Sequence, residues 1–446
     1  MNNTLFLKKG ISIHKSKNTI FPKNRISIPE TPPNNESMKH QLEMDIYPKK
    51  QPRLEYLWVE NYRALHSLEL KNLTMLTVFL GPNGSGKSTL FDVFTFLSEC
   101  FSIGLQRAWN KRGRFREMRT RGATGPIKFT LKYQEQPHSP LLTYYLVINE
   151  TMKGPVVEEE WLQWQLAPKD EPFRFLDFRL GKGFVFSGDI PKVTDTYITE
   201  ELESADMLAV NTLGQFAKHP RLSTLRRFIS GWRMSYLTVE NVGNIPDANP
   251  QAYLSPTGDN LPNVIQWFHE QYPKRLDKIL CLLRRGVPSL EHVKADILTD
   301  GRLLLYVKDV PFEQPVLSKY TSDGTLKMLA YLTILHHPEP LQLIGIEEPE
   351  NHLHPRLLPE LCEECRNATA QTQLMVTTHS PFFVNGLRPE ELWVLYKNQQ
   401  GGTKARRASD MLGIKEFIAE GALLGQLWIE GYFEVGDPFT HKGEAR

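Results

Sequence analysis

No run of about 18 apolar residues occurs in the 446-residue chain, so no bilayer-spanning helix and no membrane partner are expected. Cysteine is scarce: Cys100, Cys281, Cys362 and Cys365 are the full set. So few thiols in so long a chain make no disulfide framework, and they fit a reducing, cytoplasmic compartment. Cys362 and Cys365 form a single C-x-x-C within a helical pattern, without the two further ligands that a structural zinc site needs. Ordinary buried thiols are expected there. Heptad arrays and internal repeats are missing, which excludes a long coiled-coil arm. No acidic residue precedes Glu30, whereas Lys8, Lys9, Lys15, Lys17, Lys23 and Arg25 do. That stretch also lacks the apolar core of a secretory signal. It reads as a flexible tail, with a transit peptide or a start at Met38 or Met44 as alternatives.

What is present is ordinary globular material: 40% hydrophobic and 23% charged residues, with 53 Lys and Arg against 51 Asp and Glu. The charge is uneven. Residues 1–53 carry ten basic and four acidic residues, a local +6, leaving the remainder at 43 against 47, or −4. Residues 1–52, rich in Asn, Lys, Pro and Ser, are expected to be a disordered basic tail. Beyond them, strands are expected at 54–60 and 67–80 and again within 127–149. Helix is expected across 198–232 and 261–285, and a hairpin at 292–308 turning on Asp300-Gly301. From 324 to 378 the order helix, strand, helix, strand predicts a parallel sheet.

Four motifs carry chemistry. Gly81-Pro82-Asn83-Gly84-Ser85-Gly86-Lys87-Ser88 fits G-x-x-x-x-G-K-[ST], and Thr89 follows. It comes after an apolar strand, Leu76–Leu80, and opens a helix with Leu90, Phe94 and Leu97 on one face. Glycines there let main-chain N–H groups curl around phosphate oxygens, and the helix N-terminus faces the same anion. Lys87 would reach the β- and γ-phosphates of ATP, and Ser88 would ligate Mg²⁺. The second motif is the apolar strand ending at Glu347 and Glu348. It is expected beside the P-loop strand, with Glu347 holding the metal and Glu348 activating water. The third is His379, after Thr377-Thr378, again at a strand end and able to bond a γ-phosphate. The fourth is Ser322-Asp323-Gly324-Thr325 at a helix start, an anion site or a plain N-cap.

In this order the motifs resemble the prokaryotic RecF/SMC-like ABC-type ATPases of the AAA family. The resemblance runs from Glu60-Asn-Tyr-Arg63 through the P-loop, then from Leu254–Leu261 and Ser322 to Glu430-Gly-Tyr-Phe433. It implies an α/β P-loop NTPase: an ABC/SMC-like head with an inserted mixed helical lid. The implied lobes are 53–150 and 291–446, with the insertion at 151–290. It implies nucleotide contacts at residues 81–89, Arg63, Ser322 and Gly324. Glu348, His379 and Lys87 would be the catalytic set, and Ser88 and Glu347 would hold Mg²⁺. Asn351–His354 align with the D-loop. Gln106 and Gln134 both remain candidates for the Q-loop glutamine. The signature of one protomer would complete the site of another, so a homodimer or higher homo-oligomer is implied.

The basic segment Arg107, Lys111, Arg112, Arg114, Arg116, Arg119 and Arg121, with Trp109 and Phe115 interleaved, is a candidate DNA contact or a solvated loop. Two roles stay open: an ATPase of DNA repair and maintenance, or a sensor ATPase of an antiphage defence complex controlling a separate nuclease or toxin chain. A transporter subunit fits poorly, and no nuclease constellation is visible in the chain itself.

Overall fold

The computed structural model describes residues 51–165, 171–188, 197–339 and 341–436. The expected N-terminal tail lies outside them but for its last two positions, 51 and 52. Strands β1 (Arg53–Tyr62), β2 (Leu65–Lys71), β4 (Ile127–Gln134), β5 (Leu142–Thr151), β6 (Gly154–Trp164), β7 (Phe173–Arg179), β8 (Lys182–Phe186) and β9 (Tyr197–Glu201) make one sheet. Its order is β2-β1-β4-β5-β6-β7-β8-β9, antiparallel throughout. Period-two patterning in β4, IKFTLKYQ, buries Ile127, Phe129, Leu131 and Tyr133 on one face.

The second sheet combines β3 (Leu76–Leu80), β10 (Trp232–Ser235), β14 (Leu343–Glu347), β15 (Gln373–Thr378), β16 (Leu392–Lys397) and β17 (Thr403–Arg407). Its order is β10-β14-β15-β3-β16-β17, parallel except for β17 at the edge. Both faces are covered, as near-continuous apolar strands such as LTVFL require. Phe79 and Met375 point into a core shared with the antiparallel sheet and the helix Lys87–Ser102. Val78, Leu80, Ile344, Ile346 and Val376 point the other way, onto the helices Leu261–Gln271, Pro273–Gly286, Asp323–Leu335 and Leu358–Ala368. A small sheet, β11 (Leu290–Ile297), β12 (Leu303–Asp309) and β13 (Val316–Leu317), contains the expected hairpin.

Three expectations are corrected. The strand ending in Glu347 does not pair with the P-loop strand: β15 lies between β14 and β3. Residues 198–232 are not continuous helix. They hold the end of β9, the helices Ala209–Leu213 and Pro220–Ser230, and the start of β10. The boundary set at 150 falls inside β5, one residue before its end, and β5 is paired along its length with β6: Thr151 is opposite Gly154 and Leu142 opposite Trp164. Strands β6 to β9 therefore extend the same sheet rather than forming a mixed helical lid. Among the described residues the longest helix, Lys87–Ser102, has 16 residues.

Candidate functional site

The carboxyl ends of β3, β15 and β14 bring three sequence motifs together. Gly84 and Gly86 adopt φ of 78° and 107°, the left-handed region that favours glycine. A Cβ at Gly86 would lie 2.3 Å from the Thr403 hydroxyl, and one at Gly81 would lie 2.4 Å from the Leu395 carbonyl. The loop is thus a cradle that only glycine fits, which is what an enclosed phosphate group needs. Thr403 braces it from behind: its hydroxyl donates to the Ser85 carbonyl at 2.9 Å and accepts from Lys397 Nζ at 3.0 Å.

Lys87 Nζ donates to the Gly81 and Pro82 carbonyls at 2.9 and 3.2 Å and lies 3.4 Å from His379 Nδ1. Burial pushes its ammonium below the ordinary lysine range, while Glu348, Glu350 and Glu347 pull it back up. An ammonium can only donate, so Nδ1 accepts and Nε2 carries the imidazole proton. Nε2 then donates to Glu348 Oε1 at 2.7 Å. The other oxygen of Glu348 accepts from Asn351 Nδ2 at 3.3 Å. Glu348 holds φ at 45°, unusual for a non-glycine residue, and its N–H is tied to the Thr377 carbonyl at 3.0 Å. A strained, over-determined carboxylate of this kind is typical of functional sites. Glu347 is half-buried at the end of β14, and Ser88 is exposed at the first turn of its helix.

Other expected residues sit elsewhere. Arg63 Nη1 pairs with Asp92 Oδ2 at 2.7 Å, so its guanidinium is committed to the P-loop helix. Ser322 is exposed, and its hydroxyl makes no capping bond to the helix it opens. Among the described residues, no hydrogen bond joins Ser322 or Gly324 to residues 81–89. Gly324 instead packs on the D-loop segment, where a Cβ would approach the His352 carbonyl to 2.8 Å. Lys327, in the same helix, donates to the Asn351 carbonyl at 2.9 Å. Gln134 bonds the Ser139 carbonyl at 3.2 Å and Gln106 lies against Gly154, so neither reaches the site.

The basic segment folds as two short helices, Leu105–Lys111 and Arg114–Met118. Trp109 is fully buried, stacks on Phe115 at 5.6 Å and donates to Glu150 at 2.9 Å, so it cannot stack on a base. Arg112 is buried and pairs with Asp92 at 2.8 Å and with Glu99. Arg107, Arg114, Arg116 and Arg121 remain exposed. Cys362 and Cys365 are buried in the helix Leu358–Ala368, and burial pushes the Cys362 thiol up to about 12.

An AAA domain family, described as a putative AbiEii toxin of a type IV toxin–antitoxin system, matches residues 194–385. The match takes in Ser322, Glu347, Glu348 and His379 but not the P-loop. Two solved structures resemble the whole fold. One is an SMC head bound to the C-terminal winged-helix domain of ScpA: 10% identity, 79% of this chain, 97% of that chain, TM-score 0.50. The other is an SMC head with an extended coiled coil, bound to the C-terminal domain of ScpA, derived from Pyrococcus furiosus. It is 10% identical and covers 83% of this chain and 100% of that chain, at a TM-score of 0.51. By fold, the chain resembles an SMC head. No curated protein matches the sequence. Within the head, the contacts that sequence reading misses are Thr403, Lys397 and Lys327. Each is joined to its motif only through space, and no local pattern marks it.

Proposed function

We propose that this head binds and hydrolyses ATP with Mg²⁺, through composite sites formed between two or more copies. The carrying observation is the continuous contact from Lys87 through His379 to Glu348, set on a glycine cradle. In this reading main-chain N–H groups of residues 84–88 and the Lys87 ammonium bind the phosphates, which would draw Lys87 away from its own loop carbonyls. Glu348 accepts the proton of the attacking water as the γ-phosphoryl group moves to that water and ADP leaves. His379 orients Glu348 and offers a hydrogen bond near the γ-phosphate. Ser88 and Glu347 would hold Mg²⁺, which supplies positive charge at the phosphoryl oxygens when bound. The Ser322 hydroxyl, unused by its own helix, would serve the nucleotide of the neighbouring copy.

Two roles for such a switch are carried forward. A DNA-directed ATPase of repair or maintenance rests on the exposed Arg107, Arg114, Arg116 and Arg121, now without a stacking aromatic. A defence sensor controlling a separate nuclease or toxin chain rests on the AbiEii-type family match. No helix among the described residues is long and apolar enough to cross a membrane; work in the cytoplasm is part of the proposal. The deciding experiment is the ATPase rate of the purified chain with and without linear duplex DNA, at low and moderate salt. Stimulation that fades with salt supports the DNA-directed role, since counterion release makes such binding salt-dependent. A rate indifferent to DNA supports the protein-triggered sensor. No hydrolysis with Mg²⁺ in any condition sinks the ATPase reading.

A further inference from the structure

The run Glu347-Glu348-Pro349-Glu350 ends in a third carboxylate that the roles above leave unassigned. Glu350 Oε1 accepts the main-chain N–H of His379, 29 residues away in sequence. Its other oxygen is buried with no hydrogen-bond partner. Two lysines lie near it: Lys87 Nζ of the P-loop is 3.4 Å from Nδ1 of the same His379, and Lys327 Nζ of the helix Asp323–Leu335 donates to the carbonyl of the next residue, Asn351, at 2.9 Å; both feel its charge. The buried Tyr331 hydroxyl, also unpartnered, lies within reach of the same field. An anion beside the phosphate-binding lysine opposes the binding of a polyanionic ligand. A half-paired buried carboxylate is also costly in itself. Packing alone gives no reason for either, whereas anchoring His379 does, because that imidazole contacts both Lys87 and Glu348.

We infer that Glu350 is a positioning residue: it fixes the backbone of His379, and through it Glu348, while its charge holds nucleotide affinity down. The inference rests on the ATP-binding reading above. Its two parts separate by substitution. Glu350→Gln keeps an acceptor but removes the charge, and Glu350→Asp keeps the charge but falls short of the His379 N–H.

The test measures ADP affinity by titration of a fluorescent ADP analogue, alongside kcat and KM for ATP and thermal melting of each variant. For Glu350→Gln the expected result is ADP bound about three- to thirtyfold more tightly, from loss of one nearby like charge. For Glu350→Asp it is ADP affinity within about twofold of the parent and kcat reduced about tenfold or more, the scale of a misplaced catalytic group. A variant that had merely lost packing would bind ADP more weakly and melt earlier. Unchanged or weaker ADP binding in Glu350→Gln overturns the electrostatic part. Parental turnover in Glu350→Asp overturns the positioning part. A parent chain that binds no ADP instead removes the ATP-binding reading beneath both.

Discussion

Three side chains, Lys87, His379 and Glu348, carry the proposed chemistry at the residue scale. Lys87 is held by two carbonyls of its own loop, and Glu348, Glu350 and Glu347 offset part of the burial that lowers its pKa. Glu348 has one oxygen on His379 and the other on Asn351, so its orientation is fixed before any water arrives. Replacing it with Gln retains size and one acceptor but removes the base. Glu348→Gln should keep ATP binding near the parental level and slow hydrolysis about 10²- to 10⁴-fold, the span of general-base contributions. Rapid-quench turnover together with a nucleotide titration checks this, and normal turnover removes Glu348 from the role of base. The P-loop was legible because its donors, cradle and lysine are contiguous in sequence. The brace behind it was not: Thr403 and Ser85 are 318 residues apart, and an isolated threonine on an edge strand carries no signal.

The antiparallel sheet decides at the scale of elements how far the head extends. Strands β6 to β9 were read as mixed or helical because their apolar residues alternate imperfectly. β9, Tyr197–Glu201, alternates exposed and half-buried residues and, among the described residues, pairs with β8 alone. What joins this half of the sheet to the following helix is Glu160, fully buried in β6. Its carboxyl accepts from the Tyr144 hydroxyl at 2.9 Å, from the Val210 N–H at 3.1 Å and from the Ala209 N–H at 2.5 Å. Desolvation nevertheless pushes its pKa up to about 7 from 4.5. The folded chain therefore holds a proton that the unfolded chain has lost between those values. The contribution of this group is greatest below pH about 4.5 and declines as pH rises through about 7. Chemical denaturation of the parent and of Glu160→Gln across pH 4.5–7.5 should give stability curves that converge as pH rises. Parallel curves would show that Glu160 keeps an ordinary carboxyl pKa. At the acid end the amide should cost about 1–3 kcal/mol, because its NH₂ faces the Ala209 N–H and leaves that donor unpaired.

The motifs of the whole molecule divide into two groups: among the described residues, no hydrogen bond within one copy runs from Ser322 or Gly324 to residues 81–89. Lys87, His379 and Glu348 form one contact network at the strand ends of the parallel sheet. Ser322 and Gly324 start a helix whose nearest site partners are Asn351 and His352, not the P-loop. The order of motifs along the chain was readable, but the strand order was not. That β15 separates β14 from β3 is a long-range pairing fact with no local sequence signature. The exposed, uncapped Ser322 hydroxyl is the feature on which the proposed second copy rests, since a residue spent on its own helix would have been an ordinary N-cap. Ser322→Arg tests this at the scale where it belongs. The arginine would project from an exposed position, so the fold and the binding of a single nucleotide should be unchanged. Hydrolysis should fall about a hundredfold or more, the effect of losing one transition-state donor. Glu348→Gln, which binds ATP without turning it over, should accumulate an ATP-bound dimer, and that dimer should disappear in the double variant Ser322→Arg/Glu348→Gln, as read by light scattering on a sizing column. An undiminished rate in Ser322→Arg would mean that each copy hydrolyses ATP alone, and the shared-site arrangement would be wrong.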